Sequence, residues 1–174
     1  MYERSLQASI LTLLQEFRIV YMTGPRQAGK TTLARAIAND LDMGYITLDD
    51  QATLASVESD PHGFIRSLGS RQVVLDEFQY APALIPAIKE ASDQLGPSEK
   101  GKFLLTGSAD IFRSARTQEA LPGHMARLEL LPLSITEIDG QSLNLLDYLV
   151  TGDFSSVSSA HPTREDIAQL ILRG

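Results

Sequence analysis

Two glycines, a lysine and a threonine in Gly24-Pro25-Arg26-Gln27-Ala28-Gly29-Lys30-Thr31 are spaced as G-x-x-x-x-G-K-[ST]. That arrangement suits a bound phosphate. Gly24 and Gly29 permit backbone conformations that gather amide N–H groups around an anion, and a helix opening near Lys30 adds its positive end. Lys30 would reach the outer phosphates of a nucleotide and the Thr31 hydroxyl would ligate Mg²⁺. Pro25, Arg26, Gln27, Ala28 and Thr32 complete the candidate binding loop. The plain alternative is a glycine-rich turn with a solvated lysine. Arg26 has two readings of its own, a contact to phosphate or a neighbouring subunit and an ordinary surface charge.

A second constellation lies in "VVLDEFQ" (73–79), an apolar run closed by adjacent carboxylates. Asp76 at a strand's C-terminal end can hold Mg²⁺ through a water, beside a phosphate loop. Glu77 could then orient and polarise an attacking water. The pair follows Lys30 by 46 residues, with one strand between, which separates it from a chance acidic dipeptide. A kinase for a small acceptor would need an acceptor pocket and has no use for a water-activating glutamate. Hydrolysis is therefore the leading expectation, with a kinase or a non-hydrolysing, nucleotide-dependent binding module as the alternatives.

In "FLLTGSAD" (103–110), Thr106 or Ser108 would arrive where a γ-phosphate sits and could sense it. Ser108 is equally suited to cap the following helix. Asp49 and Asp50 either cap the "QATLASV" helix or touch substrate. His62, His124 and His161 are scattered singly, without the spacing of a metal site.

These groups need a scaffold, and the apolar runs supply it. Strands are expected at 18–23, 45–50, 71–77, 102–107 and 126–134. Helical patterns fill 30–41 and 81–95, shorter helices fill 51–69, and "MYERSLQASILTLLQEF" places Leu6, Ile10, Leu13, Leu14 and Phe17 on one helical face. This alternation implies an α/β fold, a mostly parallel sheet with helices on both faces. After Ser134 the pattern changes to short helices and a serine-rich loop, "SSVSSAHP".

The 174 residues suit one globular domain. A hydrophobic share of 43% beside 21% charged residues is an ordinary water-soluble balance. The formal net charge of −7 gives no support to a broad nucleic-acid surface, although a local basic patch stays compatible with it. With no cysteine, disulfides and thiolate chemistry are excluded. No apolar run approaches membrane-spanning length, so a cytoplasmic location is the default expectation.

The blocks "GPRQAGKTTLA", "YITLDD", "LDEFQYAP", "LLTGSA" and "LPGHMARLELLPLS" carry a specific resemblance. Over roughly residues 1–155 the chain resembles a family of prokaryotic AAA+-like P-loop ATPases. In that family the ATPase domain precedes a C-terminal domain of unknown function. The resemblance implies ATP and Mg²⁺ as ligands and an AAA+-type sheet, with the "FLLTGS" strand between the phosphate-loop and "VVLDE" strands. It divides the chain into an ATPase domain over 1–138 and a helical tail over 139–174, the start of a C-terminal domain that this chain lacks. A homo-oligomer or a protein partner is a further expectation. Family members usually carry Gly-Arg where this chain has Gly123-His124. An arginine there would stabilise γ-phosphate charge, so slow turnover is expected unless a residue such as Arg127 compensates.

Overall fold

The computed structural model of the chain describes residues 2–107, 123 and 125–139. Five strands form one sheet: β1 (Ile19–Thr23), β2 (Gly44–Thr47), β3 (Val73–Asp76), β4 (Phe103–Gly107) and β5 (Met125–Glu129). Their spatial order is β2-β3-β4-β1-β5 and every neighbouring pair is parallel. As the resemblance implies, β4 lies between β1 and β3. The register pairs Ile19 with Phe103 and Phe103 with Val73, so the three central strands end near one another. Their C-terminal edge is where the phosphate loop and the acidic pair emerge.

The central strands read as unbroken apolar runs because both sheet faces are covered. Alternate side chains enter different cores. Ile19, Tyr21, Leu75, Phe103 and Leu105 join one cluster, packed with Val57, Ile65, Leu84 and Ile88. Val20, Met22, Val74 and Leu104 join the other, packed with Ile10, Leu14, Leu33 and Ile37. The first face is therefore covered by α3 (Gln51–Ser59), α4 (Pro61–Ser67) and α5 (Leu84–Asp93), and the second by α1 (Leu6–Glu16) and α2 (Lys30–Asp40).

Local chemistry sets the element ends. Asp50 caps α3, accepting bonds from the Thr53 amide at 2.8 Å and hydroxyl at 2.9 Å. Asp60 caps α4 through Gly63 N, and Pro61 occupies the first helical position, where no N–H is needed. Pro86 falls in the first turn of α5 for the same reason. The second strand is shorter than expected: it ends at Thr47, Leu48 N still bonds Asp76 O at 3.0 Å, and the chain then turns into α3. The fifth also stops early, at Glu129, although Leu130 N still bonds Thr23 O at 2.7 Å.

A short helix, α6 (Ile135–Asp139), follows β5. Its Glu137 returns to the N-terminus, accepting from Arg4 Nε at 3.2 Å and Ser5 N at 2.9 Å. Apart from Asp139, the tail expected over 139–174 lies outside the described residues. Among the described residues, no helix is long and apolar enough to cross a membrane.

Two stability predictions follow from the packing. Leu104 is fully buried on the central strand, so Leu104→Ala should cost about 2–5 kcal/mol in urea denaturation. Glu137 should make the fold acid-sensitive. Burial alone would raise its carboxyl, but N–H bonds from Ser134 and Ser5 and the Arg4 guanidinium outweigh that and hold it at about 2. The unfolded value is 4.5, so its contribution is complete above that pH and is lost as pH falls toward 2. Chemical melts of Glu137→Gln should show a flatter acid limb than the parent.

Candidate active site

The phosphate loop joins β1 to α2, and its shape depends on three residues with positive φ. Gly24 has φ +151°, Gln27 +65° and Gly29, the N-cap of α2, +91°. Gln27 is not a glycine, and a left-handed non-glycine in such a loop marks a conformation imposed by its surroundings. At Gly24 the constraint is steric. A Cβ there would lie 2.2 Å from the Leu130 carbonyl oxygen, so only glycine lets β1 turn against the segment after β5.

Lys30, the first residue of α2, points back into the loop. Its Nζ donates to Gly24 O at 3.0 Å and Pro25 O at 2.7 Å. The residue is only 6% exposed. Burial lowers the pKa of its ammonium, and the nearby Glu77 and Asp76 carboxylates oppose that shift. Two of its three donors serve the loop, which fixes the charge in place.

Asp76 ends β3 and is 1% exposed. A carboxylate so buried needs donors, and it has three. Oδ1 accepts from the Thr106 hydroxyl on β4 and from Glu77 N at 3.1 Å, while Oδ2 accepts from the Tyr45 hydroxyl on β2. Burial, together with that bond to Asp76, pushes the Tyr45 phenol up to about 12, so it remains a donor at neutral pH. Arg35 of α2 stacks on the Tyr45 ring, 4.7 Å from its centroid.

Glu77 follows at φ +55°, a left-handed glutamate that stops β3 and turns its side chain out of the sheet. Its Oε2 accepts a bond from Gln79 Nε2, and its amide N lies 3.3 Å from Thr106 Oγ1.

Arg26, Gln27, Gly29, Lys30, Thr31, Thr32 and Glu77 line one cavity of about 520 Å³, together with Asp49 and Tyr80. The structure thus brings most of the expected loop residues to one place, with Asp76 and Thr106 buried behind them. Pro25 contributes its carbonyl to Lys30, and Ala28 turns its methyl into the core. Gly24 packs against Leu130. Ser108 and His124 lie outside the described residues. The two aspartates after β2 divide the roles that sequence left open: Asp50 caps α3, and Asp49 lines the cavity. Sequence reasoning missed Tyr45, Gln79, Tyr80 and Arg4. Nothing in their spacing marks them: Tyr45 and Arg4 act through contacts between segments far apart in the chain, Gln79 through a local bond to Glu77, and Tyr80 by lining the cavity.

Residues 16–139 match the family model described as AAA domain. The chain belongs to the AAA domain family. It carries an AAA+-like P-loop domain of the nucleotide-binding, ATPase-like type, and its five-stranded parallel sheet flanked by helices is the expected architecture. Among curated proteins it is similar to the uncharacterized protein Rv2008c of Mycobacterium tuberculosis and the uncharacterized protein Mb2031c of Mycobacterium bovis. Each is 29% identical over 144 residues, covering 82% of this chain. The match covers 32% of each relative, so the chain spans about a third of their length. The crystal structure of a DNA replication initiation factor has a similar fold, with a TM-score of 0.53 at 17% identity. That superposition covers 96% of this chain and 58% of the other.

In this AAA domain the closeness of Gly24 to Leu130 can be tested directly. Gly24→Ala should destabilise the fold by about 1–3 kcal/mol, because the added methyl meets backbone that cannot rotate away. A urea midpoint equal to the parent's would contradict the close approach.

Proposed function

We propose that this AAA domain binds ATP with Mg²⁺ and hydrolyses it to ADP and phosphate in the cavity between the phosphate loop and Glu77. One observation carries the reading. A buried lysine, a buried aspartate and a cavity-facing glutamate converge at the C-terminal edge of β1 and β3, close enough for both carboxylates to act on the lysine's charge. Such a group of charges suits a polyphosphate and a water.

The division of labour follows from the surroundings of each residue. Lys30 and the amides of the loop meet the negative charge of the outer phosphates. Thr31 and Asp76 would hold the ion, and their oxygens are the hard donors that Mg²⁺ takes. Both Asp76 oxygens already accept protein hydrogen bonds, which suits contact through the ion's waters. When bound, the ion withdraws charge from the phosphate oxygens. Glu77 orients the water and receives its proton on the carboxylate. Thr106, fully buried and bonded to Asp76, keeps that carboxylate in place and senses phosphate through it.

A second reading, nucleotide-dependent binding with little turnover, has one observation in its favour. The Gln79 amide occupies Glu77 Oε2, and that bond competes with a water for the carboxylate.

Three substitutions test the assignments. Lys30→Ala should weaken Mg-ATP binding at least tenfold, since a charge-assisted contact to phosphate is lost. Glu77→Gln should keep the affinity and slow hydrolysis about 10²-fold or more, because the amide has no basicity. Asp76→Asn should reduce the Mg²⁺ dependence of binding. Titration calorimetry and a phosphate-release assay read all three. Parent-like hydrolysis in both acidic-pair variants would remove the pair from the mechanism.

A further inference from the structure

Arg4 precedes α1 in a segment that the chemistry above does not use, yet it is only 9% exposed. A guanidinium cannot shed its proton, so burial commits it to acceptors. It has three, from two distant parts of the chain. Nη1 donates to Ala28 O at 2.6 Å, Nη2 to Leu131 O at 2.5 Å and Nε to Glu137 Oε1 at 3.2 Å. Glu137 is itself anchored, with Oε1 also accepting from Ser5 N at 2.9 Å and Oε2 from Ser134 N at 3.0 Å.

The Ala28 carbonyl is the informative partner. No cis peptide occurs among the described residues, so the carbonyl of Ala28 and the amide N–H of Gly29 point in opposite directions. Arg4 holds the carbonyl on one side of the loop, and the Gly29 N–H therefore faces the other. Gly29 lines the cavity and has φ +91°, a conformation in which glycine alone offers little resistance to a peptide flip. The packing there is tight, because a Cβ at Gly29 would lie 3.2 Å from Arg4 Nη1.

We propose that Arg4, braced by Glu137, is a positioning residue for the phosphate loop: it locks the Ala28–Gly29 peptide so that the Gly29 N–H is presented to a nucleotide phosphate. The proposal rests on the nucleotide reading of the cavity. It makes the loop answerable to the segment after β5, since any movement of Glu137 or of the Leu131 carbonyl reaches the loop through one side chain.

The test is titration of Mg-ATP into the full 174-residue chain and its variants, reading Kd and stoichiometry separately. Arg4→Gln should raise Kd about tenfold, the scale of one oriented donor to a phosphate, at unchanged stoichiometry. Arg4→Lys should recover part of that loss, because an ammonium cannot span three acceptors in a fork. Glu137→Gln should raise Kd by a smaller factor and add nothing in the Arg4→Gln background, as two members of one chain of contacts do. A role confined to holding the fold together would lower the stoichiometry with Kd intact, and that result overturns the proposal. So does a parent-like Kd in folded Arg4→Gln. If Arg4→Gln does not fold, a parent-like Kd in Glu137→Gln overturns it instead. A parent that binds no ATP overturns the nucleotide reading itself, and the positioning role falls with it.

Discussion

The buried carboxylate of Asp76 is the constraint on which the site depends. An unpaired charge at 1% exposure would be prohibitively costly, so the fold must deliver donors to it from several directions. It does so by strand order. Tyr45 comes from β2 on one side, Thr106 from β4 on the other, and Glu77 N from the next residue along the chain. Exchanging the sheet positions of β4 and β1 would leave Asp76 without Thr106 and move the phosphate loop beside it. Sheet topology and site electrostatics are thus one problem with one solution.

The same arrangement explains why the loop and the acidic pair face a common space. In a parallel sheet all strands end on one edge, and ligands gather there because the loops that leave that edge are the ones free to vary. Here β1 leaves as the loop that ends in Lys30, and β3 leaves as the left-handed Glu77. Lys30 spends two donors on carbonyls of its own loop, and Glu77 accepts a bond from Gln79. Both charged groups are held by neighbours in fixed orientations. That preorganisation is what electrostatic catalysis needs from a protein.

Much of this was legible in the residues, for identifiable reasons. The apolar runs at 18–23, 71–77 and 102–107 declare buried strands by their length and continuous apolar character. The loop motif is legible because its glycines are there for backbone geometry, which nothing else supplies. Strand ends were less legible. β2 stops at Thr47 and the chain turns into α3 at Gln51, which Asp50 caps, a boundary that hydrophobic pattern does not record. The supporting residues were not legible at all. Arg4 and Glu137 are 133 positions apart, and Tyr45 meets Asp76 only because β2 pairs with β3. Local sequence holds no trace of such encounters.

In the proposed hydrolysis, water activated beside a bound triphosphate in this cavity is the phosphoryl acceptor. The most direct test is multiple-turnover phosphate release by the unmodified chain in ¹⁸O-labelled water, with Mg²⁺ and with a chelator. The expected result is inorganic phosphate carrying one solvent oxygen per ATP consumed, abolished by the chelator. No phosphate release, or phosphate transferred to another acceptor without solvent label, would contradict it.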